Sequence, residues 1–278
     1  MSLTQLDSEA IHRSHGDHAS WPLIGPEDPP PFNIYNEGGS APVLLVCDHA
    51  SAAFPAAMHQ LGLADWVLEK HVACDIGAAL VTRHLADRLD APAVLSGYSR
   101  LIVDLNRQLH DVSAFIQVSD GIAIPGNLDL DEQEKQERVD SFFKPYHDAI
   151  SRQLDQFEAH GETPAFVSIH TCTPVFNNVV RHCHIGVMWD QDERIPVPLM
   201  EALRSKPELS IGDNEPYSGR HPHDFTIDYH AESAGLPCVG IEVRQDLVST
   251  PEGVRKWADI LADAFEAVLS GLPTKESA

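Results

Sequence analysis

The apolar positions of this chain fall into short continuous runs separated by stretches at helical spacing, the alternation expected of an α/β fold. Val43 to Ser51, VLLVCDHAS, begins with five apolar residues after Pro42. It reads as a strand buried on both faces, with Asp48 and His49 at its tip and Glu37-Gly38-Gly39 turning the chain into it. Asp65 to Asp90 is predicted largely helical with a break near Cys74-Asp75, because Ile76, Leu80, Leu85 and Leu89 share a face. Ala91 to Leu95 is a second strand. Residues 99 to 107, SRLIVDLNR, alternate as a further strand flanked by Arg100 and Arg107. Ala165 to Ile169 is another buried strand and ends in His170. Pro237 to Val243, PCVGIEV, is the last, broken by Glu242.

Between and after these strands lie helices. Asp129 to about His160 is a long charged helix kinked at Pro145. Ile195 to Arg204 is a helix opened by Pro196, and Pro251 to Leu269 packs Trp257, Leu261, Phe265 and Leu269 on the sheet. Val179 to Met188 carries His182-Cys183-His184, with alternation placing the two histidines opposite Cys183. Ser119-Asp120-Gly121 and Pro125-Gly126-Asn127 form an irregular loop that reads as a lid. Residues 212 to 237 are a long loop with a short helix around Asp228 to Ala234, and loops of that length inside a compact domain usually serve function. The organisation expected is an extended amino-terminal arm over residues 1–36, a single α/β domain over 37–272, and a tail over 273–278. The arm contains five prolines between Trp21 and Pro31. His12, His15 and His18 read as a frayed terminal segment rather than a metal tract.

With 278 residues, 43% of them hydrophobic, the chain can bury a sizeable core. Its formal net charge of −23 argues against nucleic acid or an anionic membrane as partner. An anionic substrate would then need arginines to reverse the field locally. The five cysteines, Cys47, Cys74, Cys172, Cys183 and Cys238, show no paired spacing and read as reduced thiols. With no apolar run long enough for a membrane span and no signal-peptide core, a cytoplasmic location is expected.

Residues just past strand ends occupy the crevice where open α/β sheets bind ligands, so the polar tips carry the chemistry. His49 and His170 each follow an apolar strand. Asp75, at a helix start, is either an N-cap or a carboxylate aimed at the same cleft. Together the three approach the His/His/carboxylate set of a catalytic zinc with an open position. Arg100, Arg107 and Asn106 suit bidentate capture of a carboxylate, or else form a salt-bridged strand edge. Glu242 on a buried strand is either ion-paired to an arginine or a general base beside a metal-bound water. A cysteine hydrolase built on Cys172 and His170 is disfavoured, on the ground that neighbouring positions at a strand end point apart.

The motifs VCDHAS, HVACDIGAAL, YSRLIVDLNR, SIHTCTP, GDNEPYSG and IEVRQDL, in this order over about residues 43 to 260, resemble the N-formylglutamate amidohydrolase family, in its predicted branch. The resemblance implies a zinc-carboxypeptidase-like, phosphorylase/hydrolase-like fold, with a mixed, largely parallel central sheet flanked by helices. It also implies one zinc ion per chain, held by His49, Asp75 and His170, and cleavage of the formyl amide of N-formyl-L-glutamate to formate and L-glutamate. In that scheme Glu242 is the base and Arg100 assists at the carbonyl. Asn106 and Arg107 hold the α-carboxylate, Arg244 takes the side-chain carboxylate, and Asp104 orients an arginine. The expected partner is a small anionic N-acyl amino acid, the chain acting as a monomer or small homo-oligomer. Another N-acyl amino acid or small peptide as substrate, or a non-catalytic carboxylate-binding role, are the alternatives. The chain departs from the family pattern at Thr171-Cys172 and Arg181-His182-Cys183, which bears on specificity.

Overall fold

The computed structural model describes residues 21–176, 178–220 and 225–272. Expectations for His12, His15, His18 and the tail lie outside these residues. The chain opens with β1 (Phe32–Tyr35) and the buried run β2 (Val43–Cys47), followed by α1 (Ala78–Leu89) and β3 (Ala93–Ser96). A small hairpin of β4 (Val118–Ser119) and β5 (Ile122–Ala123) precedes α2 (Glu132–Arg138) and α3 (Lys144–Ala159). Next come β6 (Ala165–Cys172), a second hairpin of β7 (Val175–Phe176) and β8 (Val179–Val180), and β9 (Ile185–Met188). The carboxyl-terminal part is α4 (Pro196–Arg204), β10 (Ile211–Asp213), α5 (Thr226–His230), β11 (Cys238–Arg244) and α6 (Pro251–Leu269).

Seven strands make one sheet in the order β1-β3-β2-β6-β11-β9-β10. β3, β2, β6 and β11 run parallel, β1 is antiparallel to β3, and β9 is antiparallel to β11 but parallel to β10. This is the mixed, mostly parallel sheet of a single α/β domain. Its central strands are buried on both faces, as continuous apolar runs require. Val43, Leu45 and Cys47 pack with α1, α4 and α6 on one side, while Leu44 and Val46 meet Phe142, Tyr146 and Ile150 on the other. The same alternation runs along β6 and β11. Val167, Ile169, Ile241 and Val243 face the first layer, so His170 and Glu242 emerge on the second. In register, Glu242 lies directly beside His170.

Four local expectations are revised. Phe32–Tyr35, within the stretch read as an arm, pairs with β3 as the sheet's edge strand. Residues 99–107 are not a strand. Leu101, Ile102, Val103 and Leu105 are all buried in the second layer, and Ser99 and Asp104 tie up the local backbone instead. Ser99 Oγ accepts from Leu101 N and donates to the Ala73 carbonyl, and Asp104 Oδ1 accepts from Asn106 N. Such side-chain bonds compete with a ladder. The long helix passes through a π turn at Val139–Phe143 just ahead of Pro145, where the missing N–H and the ring make a regular i−4 bond impossible. The loop at 119–127 is pinned, because the buried Asn127 donates to the carbonyls of Leu101 and Ile116 and accepts from Arg138. Among the described residues no helix is long and apolar enough to cross a membrane.

Candidate active site

β2 delivers His49, and the chain then returns at Asp75, whose backbone N–H donates to the His49 carbonyl. Asp75 is not the N-cap of α1. That place belongs to Gly77, in left-handed conformation at φ 84°, where an added Cβ would lie 2.6 Å from the Val248 carbonyl oxygen. With the cap supplied by backbone geometry, the Asp75 carboxylate turns to the sheet. Its Oδ2 lies 3.4 Å from His49 Nδ1 and 3.0 Å from His170 Nδ1, and accepts from Thr171 N. All three side chains are buried, and their ligand atoms lie within 4.8 Å of one another.

The outer nitrogens of both rings are anchored. His49 Nε2 meets Asp104 Oδ1 at 2.8 Å, and His170 Nε2 meets Ser168 Oγ at 3.0 Å and Asp48 Oδ2 at 3.4 Å. A proton held on Nε2 leaves the Nδ1 lone pair facing Asp75, the arrangement by which a carboxylate sets a metal-binding tautomer. Ligands about 2.1 Å from a tetrahedral ion sit about 3.4 Å apart, close to the two separations between Asp75 Oδ2 and the histidine nitrogens. The electrostatics agree. Burial opposes charge on His170, but Asp48 and Asp75 outweigh it and hold the imidazole pKa well above its usual value. Burial also disfavours an ionised Asp75, yet His49 and His170 hold its carboxyl well below the carboxylate range. The same negative field would also favour a bound cation in place of those protons.

Asp48, at the tip of β2, serves His170 rather than His49 itself. Its Oδ1 accepts from Tyr146 Oη at 2.8 Å and Thr226 Oγ1 at 3.0 Å, joining α3 and α5 to the site. Asp104 has two duties, taking the Arg100 guanidinium on Oδ2 at 2.6 Å while its Oδ1 holds His49. Arg100 also reaches Asp75 Oδ1 at 3.5 Å. Asn106 is fixed by the backbone N–H groups of Phe225 and Thr226, both donating to its side-chain oxygen. Arg107 Nη1 donates to the Asn106 carbonyl.

A cleft of about 340 Å³ opens over this set. Of the residues expected from sequence, His49, Asp75, His170, Arg100, Asp104, Asn106, Arg107 and Glu242 all line it. Arg244 does not. Asp246 captures its guanidinium at 2.7 and 3.1 Å, and its remaining bonds go to the carbonyls of Arg181 and His182. Cys172 and His170 are two residues apart on β6 and share a face, so contrary to expectation they do not point apart. What keeps Cys172 from acting as a nucleophile is its pKa, pushed up to about 12 by burial and then by Glu242. His182, Cys183 and His184 do not converge, since His184 Nδ1 accepts from Ser210 N and Cys183 leans towards Glu215. Three residues outside the expected set also line the walls: His71, Phe176 and Tyr217. Tyr217 falls within the GDNEPYSG motif, whose turn-rich composition was its one sequence signal.

A family model described as N-formylglutamate amidohydrolase matches residues 41–249, spanning every element that builds this cleft. The chain belongs to the N-formylglutamate amidohydrolase family. As a member it is a hydrolase acting on an amide C–N bond. A crystal structure of a gene product from Agrobacterium tumefaciens is similar at 33% identity and TM-score 0.86, over 89% of this chain and 98% of that one. The N-formylglutamate amidohydrolase from Ralstonia eutropha JMP134 shares the fold, with 17% identity and TM-score 0.62 over 87% of this chain and 99% of that one. No curated protein matches the chain.

Proposed function

We propose that this amidohydrolase is a zinc-dependent deformylase that cleaves N-formyl-L-glutamate to formate and L-glutamate. The observation that carries the reading is the buried convergence of His49 Nδ1, Asp75 Oδ2 and His170 Nδ1 beneath a cleft edged by arginines. These three side chains would hold one ion per chain. When bound, the ion would lower the pKa of a water towards about 7 and polarise the acyl carbonyl.

The chain's own groups do the rest. Glu242, beside His170 across the β6/β11 ladder, takes a proton from the attacking water as its oxygen bonds to the formyl carbon. It returns that proton to the amine as the C–N bond breaks. Arg100, fixed by Asp104, presents its positive charge to the developing oxyanion. Asn106 and Arg107, on the same segment, hold the α-carboxylate and so set the formyl group over the metal ligands.

Metal analysis combined with kinetics of Glu242→Gln tests this. About one zinc per chain in both proteins, with turnover of the variant down about 10³-fold, is the expected result. Near-wild-type turnover overturns the base, and protein that takes up no zinc overturns the metal. In a panel of N-acyl glutamates the formyl compound should be cleaved best.

A further inference from the structure

Four of the side chains that edge the cleft, Arg100, Asp104, Asn106 and Arg107, sit on one segment that lies outside every strand. Without a ladder, its buried carbonyls need partners from elsewhere. The Leu101 carbonyl accepts from Asn127 Nδ2 at 2.8 Å, that of Ile102 from Arg138 Nη1 at 2.9 Å, and that of Leu105 from His147 Nε2 at 2.9 Å. Three side chains thus grip the backbone of the segment, while its polar groups line the cleft.

Arg138 is the centre of that grip. Its guanidinium also donates to Asn127 Oδ1 and to the Gly126 carbonyl, each at 2.6 Å. The hold on Asn127 fixes the amide that donates to the carbonyls of Leu101 and Ile116, both of which line the cleft. Burial pushes the Arg138 guanidinium down to about 10, and it stays charged at neutral pH. A buried charge is costly, and a neutral amide would serve one carbonyl as well. What arginine adds is a rigid planar fork that fixes three oxygens at once. The π turn at Val139–Phe143 follows directly. On a regular helix Arg138 and His147, nine positions on, would point about 180° apart. The turn takes up about one extra residue and brings them to about 80°, so one helix serves both ends of the segment.

We propose that Arg138 is a positioning residue that holds the Ile102 carbonyl directly and the Leu101 carbonyl through Asn127, and so fixes where Arg100 stands over the cleft. This rests on the reading of Arg100 as the partner of the developing oxyanion. The two ends of the segment are held separately. Asn106 is fixed by the backbone N–H groups of Phe225 and Thr226, and Leu105 by His147. Loss of Arg138 therefore loosens the Arg100 end and leaves the Asn106–Arg107 end in place. The effect falls on the chemical step more than on substrate binding.

Kinetics on N-formyl-L-glutamate, with rates taken per bound zinc, compare wild type, Arg138→Met, Arg100→Met and the double variant. Arg138→Met should lower kcat about 10-fold, with KM within about twofold of wild type. In the Arg100→Met background the same substitution should cost less than about twofold, because residues that act through one contact are not additive. Hydrogen exchange gives a readout that needs no turnover. Amides 101–107 should exchange about 10-fold faster in Arg138→Met, while those of β2 and β6 keep their wild-type protection. Should Arg138→Met not fold, Arg138→Lys carries the same cycle with a smaller loss expected, since lysine keeps the cation without the fork. A further loss of about 10-fold in the Arg100→Met background, or unchanged exchange over 101–107, overturns the assignment. If wild type cleaves no N-formyl amino acid, the deformylase reading fails, and hydrogen exchange still decides whether Arg138 holds the segment.

Discussion

His49 Nε2 and Asp104 Oδ1 lie 2.8 Å apart, and the second oxygen of that carboxylate holds Arg100. One side chain thus fixes the tautomer of a metal-type histidine and the position of the arginine beside it. Burial works against an ionised Asp104, but Arg100 and His49 hold its carboxyl well below the usual range. Asp104→Asn should weaken zinc binding by about 10–100-fold, measured by titration against a chromophoric chelator. An unchanged affinity would show that Asp104 matters to Arg100 alone.

Asp75 is the carboxylate shared by both histidines, and its removal should abolish the metal site rather than weaken it. Asp75→Ala is expected to purify with less than about one-tenth equivalent of zinc. A ligand that binds the folded state raises its stability by mass action. EDTA should therefore lower the melting temperature of wild type and leave that of Asp75→Ala unmoved, as read by differential scanning calorimetry.

Tyr146 donates to Asp48 where both are fully buried. In Tyr146→Phe that charged acceptor loses a donor, at a cost of about 1.5–3 kcal/mol. Urea unfolding should show the loss as a lower midpoint at an unchanged slope. Because Asp48 also faces His170, kcat/KM should fall with it. A variant as stable as wild type would mean that Thr226 and His170 satisfy Asp48 without Tyr146.

His147 and His230 are buried partners, with His147 Nε2 donating to the Leu105 carbonyl and its Nδ1 accepting from His230 Nε2 at 3.0 Å. Burial pushes His147 down to about 4, outweighing the attraction of Asp48, and pushes His230 down to about 3. Both are therefore neutral in the fold, whereas the unfolded chain takes up protons below about pH 6.5. Their contribution to stability is present at neutral pH and is lost as pH falls from 6.5 towards 4. Between about pH 7 and pH 5, wild type should lose about 4 kcal/mol more unfolding free energy than the double variant H147F/H230F, roughly 2 kcal/mol for each histidine. Equal losses would refute the neutral pair.

The sequence by itself determined the buried central strands and the residues they deliver. A run such as Val43–Cys47 can be satisfied only by burial on both faces, and strand periodicity then fixes which side chains emerge where the run ends. His49, His170 and Glu242 were legible for that reason, and the order of motifs around them carried the family. Tertiary structure decided whatever depended on competition between partners distant in sequence. Asp75 turned from cap to metal-type carboxylate because a left-handed Gly77 closed the helix start against Val248. Residues 99–107 have the alternation of a strand, but a ladder needs free backbone groups and a free sheet edge. Ser99 and Asp104 occupied the first, and β1 took the edge beyond β3. Arg244 and Arg181 look alike in sequence. Asp246 captures one, and the other lies on Tyr217, a residue 36 positions away that only the fold brings to it.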